Sequence, residues 1–119
     1  MIKSVLVVLI MAVGMLAGAG ARAHAVLVDS TPPAGAEVIG DKAELRLRYN
    51  SRIDAKRSRL SLKGPGGIRV LPPRQGGDEA ELVARAEGLA PGRYILSWDV
   101  LSVDGHVSRG QVPFMVITP

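Results

Sequence analysis

The 119-residue sequence predicts an all-β fold: an immunoglobulin-like Greek-key β-sandwich of about seven strands, preceded by a cleaved signal peptide. Three observations predict it. After residue 23 no stretch carries the helical repeat of apolar residues. Short runs that alternate apolar and polar residues recur instead. Gly and Pro turns punctuate them about every 8 to 12 positions, as in small two-sheet domains.

The leader comes first. Met1-Ile2-Lys3 is a short basic start, Ser4 to Leu16 is almost purely apolar, and Ala17 to Ala23 is a small-residue stretch ending in Ala21-Arg22-Ala23. That order marks an export signal with an A-x-A cleavage site. Residues 1–23 are therefore expected to be removed, leaving a domain of residues 24–119 that begins with His24. The other reading is an uncleaved anchor, because apolar and small residues run from Val5 to Ala21, close to the roughly 20 residues of a spanning helix. The tripeptide and the short basic flank favour cleavage, so no membrane span is expected in the mature form.

The strands follow in order. Ala25 to Val28 is the first, stopped by Ser30-Thr31-Pro32-Pro33-Ala34-Gly35. Leu45, Leu47 and Tyr49 alternate with Glu44, Arg46 and Arg48, the pattern of a half-buried strand. Leu60 and Leu62 mark a third strand, which Gly64-Pro65-Gly66-Gly67 turns into a fourth at Ile68 to Leu71. Glu81 to Arg85 is a weaker fifth, although the Ala, Glu and Leu of Asp78 to Glu87 also suit a helical turn. Leu89-Ala90-Pro91-Gly92 leads into the longest strand, Arg93 to Leu101, with Tyr94, Leu96, Trp98 and Val100 on one face and Trp98 as core anchor. A loop over Ser102 to Gly110 then precedes a last strand with Val112, Phe114 and Val116 on one face.

Composition narrows the function. Lys3 and Arg22 leave with the leader, so 15 basic residues become 13 against 11 acidic ones and the net charge falls from +4 to +2. That small, scattered excess argues against a nucleic-acid partner. With no cysteine in the chain, disulfides and thiolate metal sites are both excluded. Met1, Met11 and Met15 lie in the leader, and the remaining Met115 cannot by itself build a thioether Cu(I) site.

Two histidines remain after cleavage, His24 and His106. A histidine at a free amino terminus offers its amine and its Nδ1 to one metal ion in a six-membered chelate ring. The amine has an ordinary pKa of about 7.7–8.0, so a polarising metal displaces its proton at neutral pH. Together with the His106 imidazole and the Asp104 carboxylate this makes three nitrogens and one oxygen, a set suited to tetragonal Cu(II). The single carboxylate offsets half the charge of a divalent ion, and Gly105 lets the loop bend between the two ligands. Zinc also accepts two His and one Asp with a water; the amine chelate and the greater affinity of copper for nitrogen favour copper. The plainer reading is that Asp104-Gly105 is turn chemistry, His106 is solvated, and His24 is an accident of cleavage.

His24-Ala25-Val26-Leu27, the turn Ser30 to Ala36, Gly92-Arg93-Tyr94, and Trp98-Asp99-Val100-Leu101-Ser102-Val103-Asp104-Gly105-His106 on through Phe114 together resemble the periplasmic copper-resistance protein C (CopC) family. The resemblance spans essentially the whole mature chain. It implies an immunoglobulin-like sandwich in the periplasm that binds and carries one Cu(II) ion on His24, Asp104 and His106, without catalysis. It also implies work alongside an inner-membrane copper transport protein. The Met-rich Cu(I) loop of some members is missing from this sequence.

Two other functions fit part of the pattern. One is a small copper-dependent oxidative enzyme of the polysaccharide-cleaving kind, which also uses an amino-terminal His chelate. It needs a broad aromatic face, whereas the aromatics here are expected in the core. The other is a metal-free periplasmic binding module whose loops hold a partner. No phosphate loop is read, because Gly64 to Gly67 lacks the Lys-Ser/Thr ending. No Ser-His-acid triad or paired-carboxylate site is read either.

Overall fold

The computed structural model describes residues 25–119; the leader, its cleavage point and His24 lie outside the described residues. Among the described residues nine strands form two sheets. The four-stranded sheet has β1 (Leu27–Thr31), β3 (Ala43–Tyr49), β7 (Glu81–Ala86) and β6 (Arg74–Gln75), in that spatial order. The five-stranded sheet has β2 (Ala36–Ile39), β9 (Val107–Ile117), β8 (Gly92–Leu101), β4 (Arg59–Gly64) and β5 (Gly67–Leu71). All pairings are antiparallel except β2 with β9. Sequential strands pair as hairpins only at β4–β5, β6–β7 and β8–β9, and every other connection changes sheet, which is what ties two flat layers into one core.

Alternation decides the inner faces. In β3 every odd position is buried and every even one exposed, so Leu45 and Leu47 enter the core while Glu44, Arg46 and Arg48 face water. Along β8, Tyr94, Leu96, Trp98 and Val100 are buried, and on β9 they meet Val112, Phe114 and Val116. All four aromatic rings of the chain lie in this core. Tyr49 meets Trp98 edge to face with centroids 5.2 Å apart, and Tyr94 stacks on Phe114 at 5.6 Å. The Tyr94 hydroxyl donates to the Ala90 carbonyl at 2.7 Å, pinning the corner where the chain passes from β7 to β8, as in immunoglobulin-type sandwiches.

Several sequence expectations are corrected here. Of the two readings of residues 78–87, the strand holds, over Glu81–Ala86, and the helical turn does not, because six consecutive pairings to β3 satisfy their backbone. The first strand runs from Leu27 and not from Ala25. The last begins at Val107, so the expected loop to Gly110 is shorter. Gly110 is in fact a strand residue: a Cβ there would lie 2.3 Å from Trp98 Cζ2, so only glycine lets the indole lie against β9. The two added strands, β2 and β6, are short sheet edges of four and two residues.

The end of the sandwich that matters most is built by the crossing after β3. Asn50 accepts the Val26 N–H on Oδ1 at 2.8 Å and donates its own N–H to the Val26 carbonyl at 3.0 Å. The chain then swings over to the other sheet, where Ile53 bridges to Ser102. Val103 N–H donates to the Arg52 carbonyl at 3.1 Å, and Asp54 N–H to Leu101 at 2.8 Å. A single 3-10 turn (Ala55–Arg57), capped by the Asp54 carboxylate, leads on into β4. The beginning of the described chain and the β8–β9 loop are thus fastened to one short segment, Asn50 to Asp54.

Candidate metal centre

The β8–β9 hairpin closes over Ser102 to His106. Ser102 N–H donates to the His106 carbonyl at 2.9 Å, and Gly105 N–H to the Ser102 carbonyl at 2.9 Å, giving a tight turn in which Gly105 takes φ +94°. An L side chain is strained at that angle, and this is the physical need behind the Asp-Gly pair. Val103 and Val107 flank the turn and are largely exposed.

Within this turn Asp104 Oδ1 lies 3.2 Å from His106 Nδ1, with both side chains about half exposed. The Ser102 hydroxyl hydrogen-bonds the same Oδ1. That bond is the largest cause holding the Asp104 carboxyl below its ordinary 3.8, and the contact with the His106 imidazole is the second. Asp104 is therefore an anion throughout the neutral range. An imidazole whose Nδ1 faces a carboxylate has its orientation fixed and presents Nε2 on its opposite edge.

Two of the three predicted ligands are thus brought together, and the third, His24, lies outside the described residues. Its neighbour Ala25 is buried, and Val26 is held by Asn50. Among the described residues no three His, Cys, Asp or Glu side chains gather into a metal site. The pair therefore needs a donor from elsewhere to make a tight site.

Sequence reasoning missed Ser102 and Asn50, which hold the two halves of this end. Ser102 has no exposed surface. The trio Ser102, Asp104 and His106 has the residue types of a hydrolase triad without its geometry. The hydroxyl is buried and bonds the carboxylate, whereas a nucleophile must be exposed and bonded to the imidazole. Beside the loop, Val103 is one wall of a cleft of about 620 Å³ that also touches Arg52, Lys56, Arg74 and Glu79. No aromatic ring lines it.

This architecture has known relatives. The family model of the CopC domain matches residues 27–117, nearly all of the described chain. The chain belongs to the CopC family. Copper resistance protein C of Pseudomonas syringae pv. tomato is 33% identical over 117 residues, covering 92% of this chain and 93% of that one. Among solved structures, CopC from Methylosinus trichosporium OB3b superimposes with a TM-score of 0.71 at 30% identity, covering 80% of this chain and 95% of that chain. PcoC from Escherichia coli, described as a methionine-rich copper resistance protein, gives 0.64 at 26% identity, covering 80% of this chain and all of that one.

This CopC chain departs from a methionine-rich protein. Its Met115, on β9, pairs with Arg93 of β8, while Val107 pairs with Leu101 next to the site. The eight-residue span along the strand puts Met115 about 27 Å from the Asp104–His106 turn.

Proposed function

We propose that the mature chain, beginning at His24 after removal of residues 1–23, is a periplasmic Cu(II)-binding protein of copper resistance and homeostasis. It holds one ion through the His24 amine and imidazole, the His106 imidazole and the Asp104 carboxylate, carries no catalytic duty, and hands copper to an inner-membrane transport protein. The observation that carries this reading is the 3.2 Å Asp104–His106 pair on a loop sharing the Asn50–Asp54 fastening with the start of the domain. Family membership and the copper resistance of the relatives support it. Nitrogen donors select copper over zinc, and one carboxylate moderates the charge.

The metal-free module is the second reading, and one experiment separates the two. Mature protein starting at His24 is titrated with Cu(II) beside a form with one extra residue ahead of His24, in which the amine has become an amide. One copper per chain with a nitrogen-rich spin-resonance spectrum is expected for the first, and a large loss for the second. Equal binding by both would remove the chelate. The oxidative-enzyme reading is disfavoured by the burial of all four aromatic rings, which leaves none to stack on a sugar.

A further inference from the structure

We propose that Ser102 is the positioning residue of the metal pair: its buried hydroxyl joins the Asp104 side chain to the His106 backbone and sets their mutual orientation before any ion arrives. This rests on the reading of Asp104 and His106 as ligands.

The argument begins with what one hydroxyl can do. It has a single proton and two lone pairs. Three polar atoms surround Ser102 Oγ: Asp104 Oδ1, the His106 carbonyl at 3.1 Å and the His106 N–H at 3.3 Å. The proton goes to the charged acceptor, because a bond to an ionised oxygen is about twice as strong as a neutral one. A lone pair is then left to accept the His106 N–H. Ser102 thereby grips one ligand by its side chain and the other by its main chain.

The serine is itself held on several sides. It has no exposed surface, its N–H and carbonyl close the turn at 2.9 Å each, and it bridges to Ile53. A rigid element behind the ligands is what a metal site needs, since partners outside the coordination sphere fix ring orientation and typically change affinity about 10- to 100-fold. Without the hydroxyl, the carboxylate loses the contact that directs Oδ1 toward Nδ1, and the His106 N–H loses an acceptor.

The test compares the unaltered mature protein with Ser102→Ala and Ser102→Thr. In the metal-free proteins, ring-nitrogen NMR of His106 should show one dominant tautomer in the unaltered chain, a mixture in the alanine variant, and recovery in the threonine variant if its methyl is accommodated. In the copper-loaded proteins, competition titration should give a 10- to 100-fold weaker alanine variant, with a broadened spin-resonance spectrum. An alanine variant with the parent's tautomer and affinity overturns the proposal. Should that variant not fold, the unaltered protein decides: a Ser102 hydroxyl proton protected from solvent exchange and coupled to Asp104 supports the role, and a freely exchanging one overturns it. If the parent takes no copper, the functional reading falls while the tautomer comparison still judges Ser102.

Discussion

Asp104 Oδ1 and His106 Nδ1 stand 3.2 Å apart with only Gly105 between them in the chain. The carboxylate thus meets the Nδ1 edge of the ring, and Nε2 lies on the opposite edge. Removing the His106 ring by His106→Ala should weaken Cu(II) binding by more than the roughly 100-fold upper range for second-layer partners. The exposed ring has little packing to lose, so the melting temperature of the metal-free protein should barely move. Competition titration and calorimetry check the two parts.

Acid behaviour follows from Asp104. Its carboxyl is held below 3.8, first by the Ser102 hydroxyl and then by His106. A depressed carboxylate contributes order that is present above its ordinary pKa and lost only as pH falls through the folded value. Copper loss on acidification is therefore expected to come before Asp104 takes up its proton. Carboxyl-carbon NMR followed through the release checks this; an Asp104 signal titrating together with copper loss would contradict it.

Alkaline behaviour follows from Tyr49. Burial pushes its phenol well above the ordinary 10.0, and its hydroxyl has no hydrogen-bond partner among the described residues. A raised pKa means stability that is complete below the unfolded value and lost as pH rises beyond it. Above about pH 10 stability should fall by about 1.4 kcal/mol per pH unit. Tyr49→Phe should flatten that slope and, at neutral pH, leave stability unchanged or raise it by about 1 kcal/mol. Denaturant melts followed by Trp98 fluorescence measure both.

The Trp98 seat makes a packing prediction. Gly110→Ala would place a methyl 2.3 Å from the indole, and such overpacking costs about 1–3 kcal/mol. For a domain of this size a loss of 1 kcal/mol lowers the melting temperature by roughly 4–8 °C. Calorimetry of the variant checks it; an unchanged melting temperature would contradict the geometry.

Asn50 makes a prediction about the other half of the site. Asn50→Ala removes the 2.8 Å acceptor of the Val26 N–H, costing about 0.5–1.5 kcal/mol. Copper affinity should fall while the His106 ring-nitrogen spectrum of the metal-free protein stays as it was. A changed His106 spectrum would show that the two halves are not separately fastened.

The parts of the fold that a linear reading reaches are those where burial imposes a period. β3, β8 and β9 alternate because one face meets the core, so Leu45, Trp98 and Phe114 announce themselves. β2 and β6 are too short to show a period: β2 turns only Ala36 and Val38 inward, and both residues of β6 are exposed. β7 was ambiguous for a different reason. Ala84 and Ala86 carry little shape preference, and Glu81 is a buried acid answered by Arg46 at 2.9 Å, a partner 35 positions away. At the candidate site, Asp104 and His106 stand out by residue type, whereas Ser102 and Asn50 do not. A serine or asparagine at a strand end says nothing until the fold shows what it faces.

The Asn50–Asp54 crossing has one more consequence. β1 belongs to one layer and the β8–β9 hairpin to the other, so an ion clasped between residue 24 and the turn at 104–106 would rivet the two layers at their rim. A polypeptide without cysteine would then possess a removable cross-link whose strength tracks the metal supply. At a free copper level 100 times the dissociation constant it would add about 2.7 kcal/mol, enough for resistance to proteolysis to report how much copper surrounds the protein.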